Sequence, residues 1–98
     1  MILVRDVFKL KFGKAKDAIA LWREGKELMS AVDHKPDRVM TDLVSTYYTF
    51  VMETSFRDLS EMESSLQKAF KDERWQKWYQ KFVPLAESGY REIFNIIE

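Results

Sequence analysis

The chain has 98 residues, of which 46% are hydrophobic and 14% aromatic, and its 16 basic and 16 acidic side chains cancel. This is the length of one domain with ample apolar side chain for a core, so disorder is excluded, and a neutral chain without a basic stripe argues against nucleic acid as a partner. The absence of cysteine excludes disulfides, thiolate catalysis and zinc–thiolate sites.

In chain order, Ile2–Phe12 reads as a strand because its apolar residues alternate with polar ones. Gly13 separates it from a helix over Lys14–Val32, where Ala15, Ala18, Ile19, Trp22 and Met29 recur at three- and four-residue steps. Gly25 inside that helix is expected to let it approach the sheet closely. His34-Lys35-Pro36 breaks the pattern, and Arg38–Val44 and Tyr47–Phe56 follow as two strands with almost no connection between them. A helical region runs from about Asp58 to Phe82, with Asp58 or Ser60 as its cap and Leu59, Met62, Leu66, Ala69 and Phe70 as its apolar stripe. Asp72 divides off a second piece bearing Trp75, Trp78, Tyr79, Phe82 and Val83. Pro84 limits that piece, Glu87-Ser88-Gly89 turns the chain, and Tyr90–Ile97 closes as a strand.

Strand, helix, two strands, helix, strand is the split βαβ order of an α+β, ferredoxin-like βαββαβ domain. It predicts one domain over residues 1–98, with an antiparallel four-stranded sheet and helices on one face. Successive strand side chains alternate faces, so Ile2, Val4, Phe8 and Leu10 share one face with Tyr48, Phe50, Met52 and Phe56. That even face is assigned to the helices. The odd face of Arg5, Val7, Tyr47, Thr49, Val51 and Glu53 is mixed and partly aromatic, which suits a subunit interface better than a solvated surface. The expected macromolecular partner is a second copy of the chain.

The βαββαβ order, the Arg38-Val39-Met40-Thr41-Asp42-Leu43 strand and the tryptophan-rich second helical region resemble the dimeric α+β barrel superfamily. The closing Glu87-Ser88-Gly89-Tyr90-Arg91-Glu92-Ile93-Phe94 is similar to its NIPSNAP-like branch, and the likeness covers nearly the whole chain. The resemblance implies two subunits packed sheet to sheet into a barrel. It brings in cofactor-free quinone-forming monooxygenases and heme-handling enzymes as relatives, along with many proteins of no known activity. The monooxygenases of that superfamily hold substrate between sheet and helices, with an asparagine on the first strand and a tryptophan on the second helix.

Asp6 is the one charge on the apolar face of the first strand. It reads either as an acid or base of the cleft or as a carboxylate satisfied by Arg91, by backbone or by solvent; a register shift would move it to the dimer face. Trp22, Trp75, Trp78 and Tyr79 read either as the walls of a pocket for a planar ligand or as core, with Trp75 and Tyr79 pointing inward and Trp78 covering the edge. His34, the only histidine, is expected to be a solvated loop residue. Heme-degrading relatives carry their iron ligand on the second helical segment, where this chain has no histidine, so no cofactor and no metal are expected. Arg38, Asp42, Glu53 and Arg91 are expected to join the odd-face residues at the dimer interface, with an anion-holding barrel mouth as the other reading.

The start Met1-Ile2-Leu3-Val4-Arg5-Asp6 meets charge too early for a signal peptide, and no apolar run nears the ~20 residues that cross a bilayer. A cytoplasmic protein with no membrane partner is expected. Three functions remain open: a homodimer binding a small molecule in its cleft, a cofactor-independent monooxygenase or isomerase acting on a planar aromatic substrate, and a purely structural or regulatory dimer.

Overall fold

The computed structural model describes all residues 1–98. Four strands, β1 (Ile2–Leu10), β2 (Arg38–Thr41), β3 (Thr49–Phe56) and β4 (Ala86–Asn95), form one antiparallel sheet in the order β2-β3-β1-β4. Helix α1 (Ala15–Ala31) links β1 to β2; α2 (Leu59–Lys71), α3 (Glu73–Phe82) and a short 3-10 turn (Val83–Leu85) link β3 to β4. No helix is long and apolar enough to cross a membrane.

The even face packs on the helices, as its alternation requires. Leu10 and Phe50 of the sheet join Ala18, Leu21 and Met29 of α1 and Trp78 and Phe82 of α3 in the main core. Phe82 meets Phe8 edge-on at 4.9 Å and stacks on Trp78 at 5.5 Å. A smaller cluster of Ile2, Val4 and Phe56 lies under Met62 of α2. The β1–β3 register sets Arg5 opposite Glu53 and Val7 opposite Val51 on the odd face, while Asp6 lies opposite Met52 on the even face.

Several local expectations are corrected. β1 stops at Leu10, and Phe12 stands largely exposed, because the Lys11 N–H turns to the Leu85 carbonyl. β2 ends at Thr41 rather than Val44, and Asp42–Tyr48 is a loop in which Tyr47 and Tyr48 adopt left-handed φ of 68° and 51°. Two such residues in a row are costly for tyrosine. The loop is held by the Asp42 carboxylate, which accepts from the Thr49 N–H at 2.8 Å, and by the Lys9 ammonium, which donates to the Thr46 and Tyr47 carbonyls. Asp42 and Tyr47 thus lie in this loop rather than within strands.

Both interior glycines have reasons that periodicity does not show. A Cβ on Gly89 would come within 3.0 Å of the Phe8 ring, so Glu87-Ser88-Gly89 runs inside β4 as a close-approach segment instead of a turn. A Cβ on Gly25 would meet Trp78 Nε1 at 2.3 Å; the glycine admits the indole of α3 rather than the sheet. The helix break falls where expected. Asp72, with extended backbone, accepts from the Arg74 and Trp75 N–H groups and so starts α3 one residue after α2 ends. The Arg74 side chain bonded to it holds its carboxyl at about 2.

Candidate functional site

Between the even face of the sheet and the helices lies a cleft of about 580 Å³, with 13 of its 18 lining residues hydrophobic. β1 supplies Val4, Asp6 and Phe8 to it, and β3 supplies Met52, Thr54 and Phe56. Met62, Leu66 and Phe70 come from α2, and Trp75, Trp78, Tyr79 and Phe82 from α3. Such a lining takes up apolar area, and its methionines can adjust to ligand shape.

The polar groups of the cleft gather in one corner. Asp6 accepts from Arg91 Nε at 2.6 Å and from Nη2 at 3.3 Å, with both side chains partly exposed. The register of β4 dictates this pair, since Arg91 stands opposite Asp6. Arg91 is therefore on the cleft side of the sheet and not on the odd face where an interface role was expected. Each carboxylate oxygen of Asp6 thus accepts from Arg91, the partner expected for a satisfied carboxylate.

His34 is the second correction. It is half-buried, lines the same cleft, and its Nδ1 lies 3.0 Å from Ser65 Oγ. Burial lowers its pKa below the ordinary imidazole value; Asp6 pulls it back up and Arg91 pushes it further down. Its ring also approaches Trp75 edge-on, at 6.3 Å between centroids. A signal for this was present in α2: Ser65 falls on the apolar stripe, one turn from both Met62 and Ala69, and a buried hydroxyl needs a partner.

The aromatic residues sort differently from expectation. Trp78 is the inward one, buried, with Nε1 donating to the Leu21 carbonyl at 2.8 Å. Trp75 and Tyr79 stack on each other at 5.0 Å and 11°, with Phe70 5.0 Å from Trp75, and make the rim. Trp22 packs against the main core from α1 and does not line the cleft. Its neighbours on the stripe face the core, so helical phase alone does not separate the two.

The odd face of the sheet carries a different arrangement. Glu53 is only 6% exposed and accepts from Arg38 at 2.7 Å and from Arg5 at 3.1 Å, and Arg5 also reaches Glu92 at 3.5 Å. Val7 and Val51 lie beside this network, and Tyr90 and Phe94 of β4 extend the face with exposures of 60% and 48%. No three metal-ligating side chains converge anywhere in the chain.

No family model matches the sequence, and no curated protein matches it. Solved structures do. A NIPSNAP-like domain protein from Burkholderia xenovorans superposes with a TM-score of 0.91 at 15% identity, covering 98% of this chain and 84% of that one. A NIPSNAP family protein from Agrobacterium tumefaciens superposes with a TM-score of 0.88 at 18% identity, covering 95% and 82%. A candidate antibiotic biosynthesis monooxygenase from Nitrosomonas europaea follows at 0.75 and 10% identity, with both chains fully covered. The chain thus has the ferredoxin-like α+β fold of the NIPSNAP proteins.

Proposed function

We propose that the chain is a homodimeric α+β barrel protein that binds a small molecule in the cleft between its sheet and its helices. The observation that carries this reading is the cleft itself. At about 580 Å³, mostly apolar, with Asp6, Arg91 and His34 gathered in one corner, it has the size and make-up of small-molecule sites. A purely structural dimer would have filled that space with its own side chains. The dimer half of the reading rests on the odd face, where Tyr90 and Phe94 stand exposed on the same side of the sheet as the Glu53 network, while Val7 and Val51 are already buried within the chain. Native mass spectrometry of freshly purified protein tests both halves. A dimer carrying extra mass is expected; a monomer at micromolar concentration breaks the barrel reading.

A second reading, a cofactor-independent monooxygenase or isomerase acting on a planar aromatic substrate, is supported by the likeness to the Nitrosomonas protein and by the stacked Trp75–Tyr79 rim. In this reading Asp6 acts as the acid or base: Arg91 donates once to each of its oxygens, and each keeps a second lone pair. Oxygen uptake on adding a naphthohydroquinone, faster with protein than without, supports it. An unchanged rate sinks it.

A further inference from the structure

The protons in the polar corner of the cleft can be counted. Ser65 Oγ has one hydrogen, and the Asp33 carbonyl oxygen 2.9 Å away can only accept. Two oxygens at that distance share a hydrogen, and only the serine has one to give, so its proton points to the carbonyl. Ser65 Oγ then meets His34 Nδ1, 3.0 Å away, as an acceptor, and Nδ1 must carry the ring proton. Nε2 is left with its lone pair and makes no hydrogen bond within the chain. Ser65 is fixed on α2 and buried, which makes it a positioning residue for the ring.

The surroundings of His34 decide what this acceptor suits. From β1 comes Asp6 and from β4 Arg91, and the two neutralise each other. From α2 comes Ser65 and from α3 Trp75, neither of which adds charge. Asp33, next in sequence, is paired with Lys68 at 2.6 Å. Asp6 occupies Nε and Nη2 of Arg91 and leaves Nη1 as a free donor. The corner therefore offers His34 Nε2 as an acceptor and Arg91 Nη1 as a donor without net charge, within an otherwise mostly apolar cleft.

We propose that His34 Nε2 is the hydrogen-bond acceptor of this cleft, and that the cleft takes an uncharged, largely apolar molecule with a hydroxyl or N–H donor at one end. This rests on the ligand-cleft reading above. Because burial depresses the His34 pKa, the ring is neutral at pH 7, and the acceptor is lost only on acidification.

Calorimetric titration at pH 7 with 2-naphthol, its methyl ether and 2-naphthoate tests the inference. The naphthol is expected to bind about tenfold tighter than the ether. In His34→Asn, whose amide N–H still reaches Ser65 but which has no Nε2, that advantage should vanish. It should also fade in the wild type as pH falls through the His34 pKa. Equal binding of naphthol and ether to the wild type, or an advantage surviving in the variant, overturns the inference while leaving the cleft reading intact. Naphthoate binding tightest overturns it as well, since that marks an anion site. If none of the three binds, the cleft reading itself falls and takes the ligand class with it. Long-range proton–nitrogen NMR gives an independent readout on the unmodified protein. His34 is the only histidine, and a ring proton found on Nε2 would overturn the assignment.

Discussion

The two faces of the sheet each hold a carboxylate against arginine, and they hold it differently. On the cleft face Asp6 and Arg91 remain in contact with solvent, with side chains 25% and 41% exposed. On the odd face Glu53 is buried between Arg5 and Arg38, which keep their own exposure. An exposed pair contributes little because water screens it and two long side chains lose freedom. A buried carboxylate depends on its partners, since its desolvation must be offset. One pair is therefore a local polar fixture in an apolar cleft, and the other is a fastening across β1, β2 and β3.

The largest expected effect probes the wall of the cleft. Gly25→Ala places a methyl group against the Trp78 indole and disturbs its bond to Leu21, and a loss of about 3 kcal/mol in urea unfolding is expected. A loss below about 1 kcal/mol would mean that α3 slides freely past α1. Next comes the fastening on the odd face. Arg5→Ala, which leaves the buried Glu53 with Arg38 alone, should cost about 2 kcal/mol by the same assay. Asp6→Ala should cost less than about 1 kcal/mol. If these two losses came out equal, burial would not be what separates the two faces.

The smallest effect is one of pH. His34 has a folded-state pKa depressed below its unfolded value, so the unfolded chain binds a proton more readily. Its contribution to stability is complete above the unfolded value of about 6.5 and is lost as pH falls through the folded one. The urea midpoint of the wild type should drop slightly more than that of His34→Asn between pH 7 and pH 5.

The strands and helices were legible because their apolar residues repeat at two or at three to four positions, and this also placed Asp6 on the helix-covered face. The Asp42–Tyr48 loop was not legible: Val44 and Tyr47 favour strands by type, and the bend is held by hydrogen bonds of Asp42, Lys9 and Leu10 that no local pattern shows. His34 escaped for another reason. Asp6, Ser65 and Arg91, which surround it, lie 28 positions and more away in sequence, and a loop histidine carries no sign of them. Gly25 and Trp78 were each visible, but their contact joins two helices whose relative placement no local pattern encodes.

The single extended residue at Asp72 sets how far one stretch of chain can wrap around a cavity. In an unbroken helix, Met62 and Tyr79 would stand about 25 Å apart along the axis, too far to share one small chamber. With the bend, Phe70 and Trp75 close to 5.0 Å across the corner, and both Met62 and Tyr79 face the same space. An aspartate that serves as the end of one helix and the start of the next thus folds a rod into an enclosure.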